Sequence, residues 1–232
     1  MSKHKKGCLV CGEEIVYEED SSELECYYCH QIQTSRVRCI KGHYVCDSCH
    51  SASANDLIAT FCTSTRSTDP LEQALVLMRN SKVKMHGPEH HFLVPAVLLS
   101  SYYNIKGNPH EKGAKIREAR ERASKVPGGF CGYFGDCGTA VGTGIFVSLV
   151  TNATPLSIGE WRLANMMTSK SLLSIAEHGG PRCCKRNSYL AILQATDFLK
   201  DNFDIEMKVN RKIKCEFHDL NKQCLRERCT FY

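Results

Sequence analysis

Apolar residues recur at helical spacing through most of the chain after residue 60. Leu71, Ala74 and Met78 share one face of a predicted helix. Asp69 and Pro70 mark its start, because aspartate caps a helix and proline suits the first turn. Further helices are predicted in HHFLVPAVLLSSYYN, PHEKGAKIREARERASKV, GTAVGTGIFVSLVTN, IGEWRLANMMTSKSLLSIAEHGG and KRNSYLAILQATDFLKDNF. About six helices and little strand pattern predict a mainly α protein whose body is an all-α helical bundle.

The 15 cysteines are spread unevenly along the 232 residues. Seven lie before residue 50, none lies between Cys62 and Cys131, and three lie close to the end of the chain. Segment 51–70 is rich in small and hydroxyl residues and is either a linker or a first helix. The distribution predicts a two-zinc module at 1–55, a helical cysteine-bearing domain at 56–205 and a cysteine-bearing tail at 206–232.

Composition and charge exclude several classes of protein. Hydrophobic residues make up 42% of the chain, and the formal net charge of +5 is too small to indicate nucleic acid by itself. The start, MSKHKKGCLVCG, has no apolar signal segment, and no apolar run approaches the roughly 18 residues of a membrane span. We therefore expect a cytoplasmic protein without membrane contact. Its reduced thiols would serve metal or redox chemistry rather than a disulfide framework.

Eight candidate metal ligands lie close together at the start of the chain. The pairs CLVC and CYYC have the two-residue gap that lets one turn present both thiolates to one ion. Zinc takes four such ligands, so two zinc ions are predicted in a cross-brace or treble-clef-like module. We expect CLVC to share one ion with Cys39 and His43. CYYC would share the other with Cys46 and Cys49. The predicted ligands are Cys8, Cys11, Cys26, Cys29, Cys39, His43, Cys46 and Cys49, with His30 and His50 as alternatives.

This module could meet two kinds of partner. Tyr27, Tyr28 and Tyr44 could stack on bases, and nearby basic side chains could contact phosphate. The acidic segment EEIVYEEDSSELE interrupts that basic surface. We therefore favour docking to a protein partner or a redox enzyme complex over nucleic acid. The basic residues concerned are Lys3, Lys5, Lys6, Arg36, Arg38 and Lys41.

A second group of cysteines lies in the helical body. Cys131 and Cys137 lie in the glycine-rich turn GGFCGYFGDCG, where backbone amides can approach an anionic sulfur centre. Cys183 and Cys184 follow a predicted helix end in HGGPRCCKR. Three or four of these thiolates could hold an iron–sulfur cluster, such as 4Fe–4S, or another metal. Redox thiols and buried structural cysteines are the alternatives.

The glycines of GTAVGTG also have two interpretations. A glycine-rich segment can cradle phosphate, but no strand precedes this one and its spacing differs from the dinucleotide pattern. We expect Gly138, Gly142 and Gly144 to allow close packing between helices instead.

Two further segments could add ligands to the body. In MHGPEHHF, Glu89 and His90 could act as ligand and base of a metal-dependent enzyme, with His86 and His91 nearby. An exposed helix start is the alternative for these residues. The tail could form one tetrahedral site or donate to the cluster of the body through Cys215, His218, Cys224 and Cys229.

From about residue 86 to residue 203 the chain resembles the C-GCAxxG-C-C family of redox-associated proteins. FLVPAVLLSSYYN looks like the family's NCAQAVL helix, and GGFCGYFGDCGTAVGTGIFVSL looks like its glycine-rich turn and following helix. Cys183 and Cys184 look like its later cysteines. The resemblance implies an all-α body with a cysteine-ligated metal or cluster site. The family's first cysteine is absent here, where MHGPEHHF offers histidines, so mixed Cys/His ligation is also implied.

Two shorter resemblances concern the rest of the chain. The whole sequence is similar to a domain-of-unknown-function family with the same N-terminal zinc finger and the core PGGFCGYFGDCGTAVG. The segment GHYVCDSC resembles the centre of a RING finger, but the CxxxH pair comes third here, so the ligand order differs.

These observations predict a metalloprotein with a zinc module for docking and a Cys or Cys/His metal site in its body. That site would serve electron transfer or sulfur and metal handling, as an accessory to a larger enzyme. A metal-dependent enzyme that uses the histidines beside Cys131 and Cys137 is the first alternative. A zinc-finger protein that binds nucleic acid is the second. No residue is assigned a catalytic role.

Overall fold

The computed structural model describes residues 7–232, apart from the side chains of Ser48 and Ser51. Lys3, Lys5 and Lys6, considered above for phosphate contacts, lie outside the described residues. Two strands come first, β1 (Ile15–Glu25) and β2 (Ile32–Cys39). The helices are α1 (Asp47–Ser51), α2 (Ala54–Ser64), α3 (Pro70–Arg79), α4 (Glu89–Ile105), α5 (Pro109–Ala123), α6 (Phe130–Tyr133), α7 (Gly138–Thr151), α8 (Gly159–Glu177) and α9 (Cys184–Phe203).

The two strands form an antiparallel hairpin between the cysteine pairs. Its register joins Ile15 to Cys39 at one end and Glu25 to Ile32 at the other. The acidic sequence of β1 lacks the alternation of apolar and polar residues that marks a half-buried strand, so the hairpin was not predicted. A two-stranded hairpin is marginally stable by itself. Cysteines lie close to both of its ends, at Cys11, Cys26, Cys29 and Cys39.

The mainly α fold is confirmed, and each segment predicted to be helical contains a helix. Asp69 caps α3 by accepting hydrogen bonds from the amides of Leu71 and Glu72, and Pro70 occupies the first turn. Segment 51–70 contains helix α2. After residue 60 the described chain has helices and irregular segments but no strand. None of its helices combines the length and hydrophobicity that crossing a bilayer requires.

Helix α4 forms the centre of the bundle and is buried along most of its length. Pro95 has no N–H, so the carbonyl of His91 one turn earlier lacks its usual helical partner. Gly142 of α7 packs against this point, where an added Cβ would lie 2.8 Å from Pro95 Cδ and 3.0 Å from the His91 oxygen. Gly138 meets the His91 ring, and Gly144 meets a side chain of α8. The prediction of close helix packing at these glycines is confirmed.

Tyr28 attaches the N-terminal module to the helical body. Its side chain is fully buried, and its hydroxyl accepts a hydrogen bond of 2.9 Å from Asn80 Nδ2 at the end of α3. The Ser64 hydroxyl of α2 donates to the Tyr28 carbonyl. The buried cysteines of the module and the apolar residues of the helices belong to one continuous core. The module is therefore packed onto the body rather than tethered to it.

The tail runs back along the body in irregular conformation, with short 3-10 turns at His218–Leu220 and Arg226–Arg228. The ring of Phe231 packs edge-on against Tyr189 of α9, with centroids 5.4 Å apart. The Cys215 amide donates to the Phe231 carbonyl, and Arg79 forms an ion pair with Glu216. The last residues are thus held against the bundle.

Candidate metal centres

The first candidate centre contains three cysteines and one histidine. The donor atoms of Cys8, Cys11, Cys39 and His43 all lie within 4.8 Å of one another. Cys11 Sγ is 3.5 Å from Cys39 Sγ, and Cys8 Sγ is 3.9 Å from His43 Nδ1. Backbone amides two residues further on donate to the sulfurs of Cys8 and Cys39 over 3.4 Å. This arrangement is the knuckle geometry that stabilises negative charge on sulfur.

The second candidate centre contains four cysteines. The sulfurs of Cys26, Cys29, Cys46 and Cys49 also lie within 4.8 Å of one another, and Cys29 Sγ is 3.7 Å from Cys46 Sγ. The Cys46 amide donates to Cys26 Sγ over 3.4 Å. Cys26 and Tyr44 form an isolated β-bridge, which places the first cysteine pair of the site beside the second. The four donors come from the turn after β1 and from the start of α1.

The two sets alternate along the chain, as in a cross-brace. The first and third ligand pairs form one set, and the second and fourth form the other. His30 and His50 belong to neither set, and His30 instead contacts Glu25 at 2.7 Å. Both sets therefore contain the residues expected for them from the sequence.

The donor chemistry and spacing of both sets fit zinc. Four ligands at tetrahedral corners, each about 2.3 Å from the ion, have sulfurs about 3.8 Å apart. The sulfur–sulfur distances of 3.5 Å and 3.7 Å are close to that value. Thiolate and imidazole are also the donors that structural zinc sites use. Each set can therefore hold a metal ion such as zinc.

Hydrogen bonds lower the pKa of one thiol in each set. Burial raises the pKa of Cys26, but three backbone amides outweigh it, and the pKa is lowered to about 7. Burial also raises the pKa of Cys39, but a backbone amide and neighbouring side chains lower it to about 7. Burial raises the pKa of Cys8 and of Cys29 to about 11. A bound cation would favour the thiolate form of all of them.

Cys131 and Cys137 lie on one open cavity of the helical body, of about 540 Å³. Cys137 is the N-cap residue of α7, and its sulfur accepts a hydrogen bond of 3.5 Å from Asn187 Nδ2. Its sulfur also lies 3.2 Å from the Thr139 hydroxyl oxygen. A helix N-terminus also attracts anions, so the end of α7 adds a positive potential to this cavity. Arg182 and Arg186, which also line the cavity, add positive charge to its wall.

The structure divides the four body cysteines between two places. Cys183 lines a different, narrow cavity beside the tail, together with the three tail cysteines. Cys184 is the first residue of α9 and lines neither cavity. Burial raises the pKa of its thiol to about 11, and the neighbouring charges of Cys137 and Cys183 contribute to this increase. Among residues 7–232, the only sets of three or more donors within 4.8 Å are the two N-terminal ones. We therefore treat Cys183 separately from Cys131 and Cys137.

Comparison with known proteins concerns the helical body and the tail. The model of DUF5714, a family of unknown function, matches residues 58–232, which is most of the chain. The chain belongs to this family. The match begins after the last ligand of the second candidate centre, so it does not cover the cysteines of the metal module. The resemblance to the C-GCAxxG-C-C family is not confirmed. No match was found among curated proteins or solved structures.

The histidines of this DUF5714 protein do not assemble a pocket with Glu89. His90 is fully buried; its Nε2 donates to the Lys84 carbonyl and its Nδ1 accepts from the Ser188 hydroxyl. Both nitrogens are used, so the expectation of His90 as a metal ligand is corrected. Glu89 accepts from the Lys84 amide at the start of α4. Its carboxylate therefore binds the segment that precedes α4.

The side chains of His86 and His91 also make contacts other than metal ligation. His91 Nδ1 donates to the Val126 carbonyl, and its ring lies against Gly138. His86 Nε2 lies 3.2 Å from Asn221 Oδ1 in the tail. Neither belongs to a set of donors within 4.8 Å among the residues described. These histidines position α4 and the tail in the DUF5714 body.

The tail cysteines lie beside Cys183 of the body, which is one of the two arrangements that the sequence left open for them. Burial raises the pKa of Cys183 and of Cys215, and the neighbouring charges of Cys224 and Cys229 raise both further. The four thiols are thus near enough to act on one another. The sequence signal was the set of tail cysteines itself, but their spacing did not show which of Cys183 and Cys184 they approach.

Proposed function

We propose that this chain is a metalloprotein whose N-terminal module, folded around two zinc ions, docks to a protein partner. Its helical body would present thiols for sulfur or redox chemistry in the service of a larger enzyme. The observation that carries the proposal is the pair of alternating four-donor sets at residues 8–49. A module this small gains much of its folding free energy from its metals.

The hairpin of the module is the surface that supports docking. Tyr17, Ile32 and Ile40 are 80%, 65% and 59% exposed, although all three are apolar or aromatic. In the part of the chain that the structure describes, the sheet has only two strands, so both outer edges are unpaired. Unpaired edges accept an extended segment of another protein. A photo-crosslinking amino acid at Tyr17 should join a protein partner in cells, whereas one at exposed Lys170 on α8 should not.

Nucleic acid is a weaker candidate partner for this module. Tyr28 is buried against the body and cannot stack on a base. Arg38 pairs with Glu18 over 2.5 Å, and Lys41 pairs with Glu13 over 2.7 Å. These basic groups are therefore partly neutralised. RNA or DNA recovered by crosslinking at Tyr17, instead of protein, would reverse our preference.

The cavity at Cys131 and Cys137 supports the chemical part of the proposal. It brings two thiols, a helix N-terminus and two guanidinium groups to one opening. Such surroundings favour an anionic substrate beside the two thiols. Cys62, by contrast, is fully buried in the core, and burial raises its pKa. Cys62 is therefore an internal control, whose labelling rate shows how slowly a buried thiol of this protein reacts.

Zinc analysis of the full chain tests the module. We expect two zinc ions per chain, and about one after Cys26→Ser, because one donor set is broken while the other remains. Cys62→Ala should retain two, since Cys62 belongs to neither set. Two zinc ions retained in Cys26→Ser, or no zinc in the unaltered protein, would contradict the zinc assignment.

Thiol labelling tests the cavity. A dianionic aromatic disulfide should react with Cys131 much faster than with Cys62, as mapped by mass spectrometry. Arg182→Gln should slow this reagent several-fold at Cys131 and leave neutral iodoacetamide unaffected, because only the anion is attracted by the guanidinium. Equal slowing of both reagents would show a change in access rather than charge. That result would count against an anion-binding thiol site.

A further inference from the structure

Four cysteines converge on one narrow cavity between the start of α9 and the tail. Cys183 immediately precedes α9, and Cys215, Cys224 and Cys229 come from three successive bends of the tail. All four are partly buried, and none forms a disulfide. The rest of the lining is largely aromatic or apolar, including Phe217 and Phe231. We propose that these four cysteines hold a third metal centre, an iron–sulfur cluster that fastens the tail to the body.

The tail cysteines have the same local geometry as the ligands of the N-terminal module. The Phe217 amide donates to Cys215 Sγ and the Arg226 amide donates to Cys224 Sγ, both over 3.4 Å. Each donor is two residues after its cysteine, as for Cys8 in the first candidate centre. Such turns direct amide dipoles toward sulfur, where they stabilise a thiolate and tune a cluster's potential. The tail cysteines are therefore prearranged as ligands in the same way as those of the module.

An unpartnered buried hydroxyl provides an independent indication of a ligand. Tyr189 lines the cavity and is only 2% exposed, yet its hydroxyl has no hydrogen-bond partner among the described residues. A buried hydroxyl without a partner is unfavourable by about 1–3 kcal/mol. The sulfur atoms of a cluster accept hydrogen bonds. A cluster in this cavity would therefore satisfy the Tyr189 hydroxyl.

The spacing of the thiols favours a cluster over a single zinc ion. Within residues 7–232, the donor sets compact enough for one ion are the two in the N-terminal module. The tail set is wider, although all four of its thiols line the same cavity. A cluster places several iron atoms and sulfides between its four thiolates, so it holds them further apart than one ion does. Four cysteine thiolates are also the usual ligands of 2Fe–2S and 4Fe–4S clusters.

Metal analysis of the anaerobically purified full chain tests this site independently of the two zinc sites. We expect iron and acid-labile sulfide in equal amounts, about four of each per chain for a 4Fe–4S cluster, together with broad visible absorption. Cys224→Ala should lose most of the iron and the colour while retaining two zinc ions. The matched control Cys131→Ala should retain the iron. Iron lost equally from both variants would overturn the proposal, because Cys131 lies outside the tail cavity.

A second measurement uses the unaltered sequence, in case the variant fails to fold. Thiols of the iron-free protein are alkylated before and after reconstitution with iron and sulfide, and the sites are mapped. We expect reconstitution to protect Cys183, Cys215, Cys224 and Cys229 at least tenfold and to leave Cys131 unchanged. A third zinc ion in place of iron, iron without sulfide, or no protection of the tail cysteines would each overturn the proposal.

Discussion

The hydrogen bond between Tyr28 and Asn80 gives a direct test of how the metal module is joined to the body. Tyr28→Phe removes only the hydroxyl and keeps the buried ring. Asn80 is 1% exposed, and its Nδ2 donates to that hydroxyl over 2.9 Å. The variant therefore leaves a buried N–H donor without this partner. We expect a loss of about 1–3 kcal/mol in the free energy of unfolding.

The assay is thermal and urea unfolding of the zinc-loaded protein. For a chain of this size, each kcal/mol shifts Tm by about 2–4 °C, so Tyr28→Phe should lower Tm by about 2–12 °C. Tyr27→Phe is the matched control, because Tyr27 is adjacent and only partly buried, and its hydroxyl has no hydrogen-bond partner in residues 7–232. We expect its Tm to remain within about 1 °C of the unaltered protein.

A double-mutant cycle identifies the source of the effect. In an Asn80→Ala background, Tyr28→Phe should cost much less, because the partner has already been removed. A coupling energy of about 1 kcal/mol or more is expected for residues in direct contact. The contact does not join the module to the body if Tyr28→Phe is as stable as Tyr27→Phe. The same conclusion follows if Tyr28→Phe loses as much free energy of unfolding in the Asn80→Ala background as in the unaltered protein.

Two further predictions concern the helical body. Gly142→Leu should destabilise the protein by about 3 kcal/mol or less through overpacking against Pro95, while Gly159→Ala, which has open space around its Cα, should be neutral in urea unfolding. Burial lowers the pKa of His90 from 6.5 to about 3, so between these values the unfolded state binds the extra proton and stability falls as pH falls. The unaltered protein should lose about 2 kcal/mol more than His90→Gln between pH 7 and pH 5, and equal losses would refute the assignment.

The sequence predicted those features that short segments determine. Helical periodicity, together with the Asp69 cap, was enough to predict α3, because helix formation depends on residues a few positions apart. The two-residue gaps of CLVC and CYYC likewise determine a local turn that brings both thiols of a pair together. With the pairs known, few ways remained to combine them into two four-ligand sets, and the alternating one is found. The glycines of α7 were interpreted correctly, because a residue without a Cβ lets a neighbouring helix approach closely.

The features that were missed depend on long-range contacts or on context. β1 is an acidic, largely exposed strand, and it is held by pairing and by ligands at its ends rather than by an apolar face. His90 resembles a metal ligand in sequence, but its role is set by Ser188, 98 residues away. Spacing could not decide between a separate tail site and donation to the body, because the tail reaches Cys183 only after α9 is complete.

The shared wall of the two body cavities links the proposed thiol site to the proposed cluster. Arg186 is 4% exposed and lines both cavities, and its guanidinium donates to the carbonyls of Gly179 and Pro181. Its positive charge is therefore fixed between two groups of thiols. Charge interactions in such poorly solvated surroundings are much less screened than in water. A negative charge gained or lost by a cluster at the tail cysteines would therefore change the electrostatic potential in the cavity of Cys131 and Cys137, and with it the attraction of that cavity for an anionic reagent.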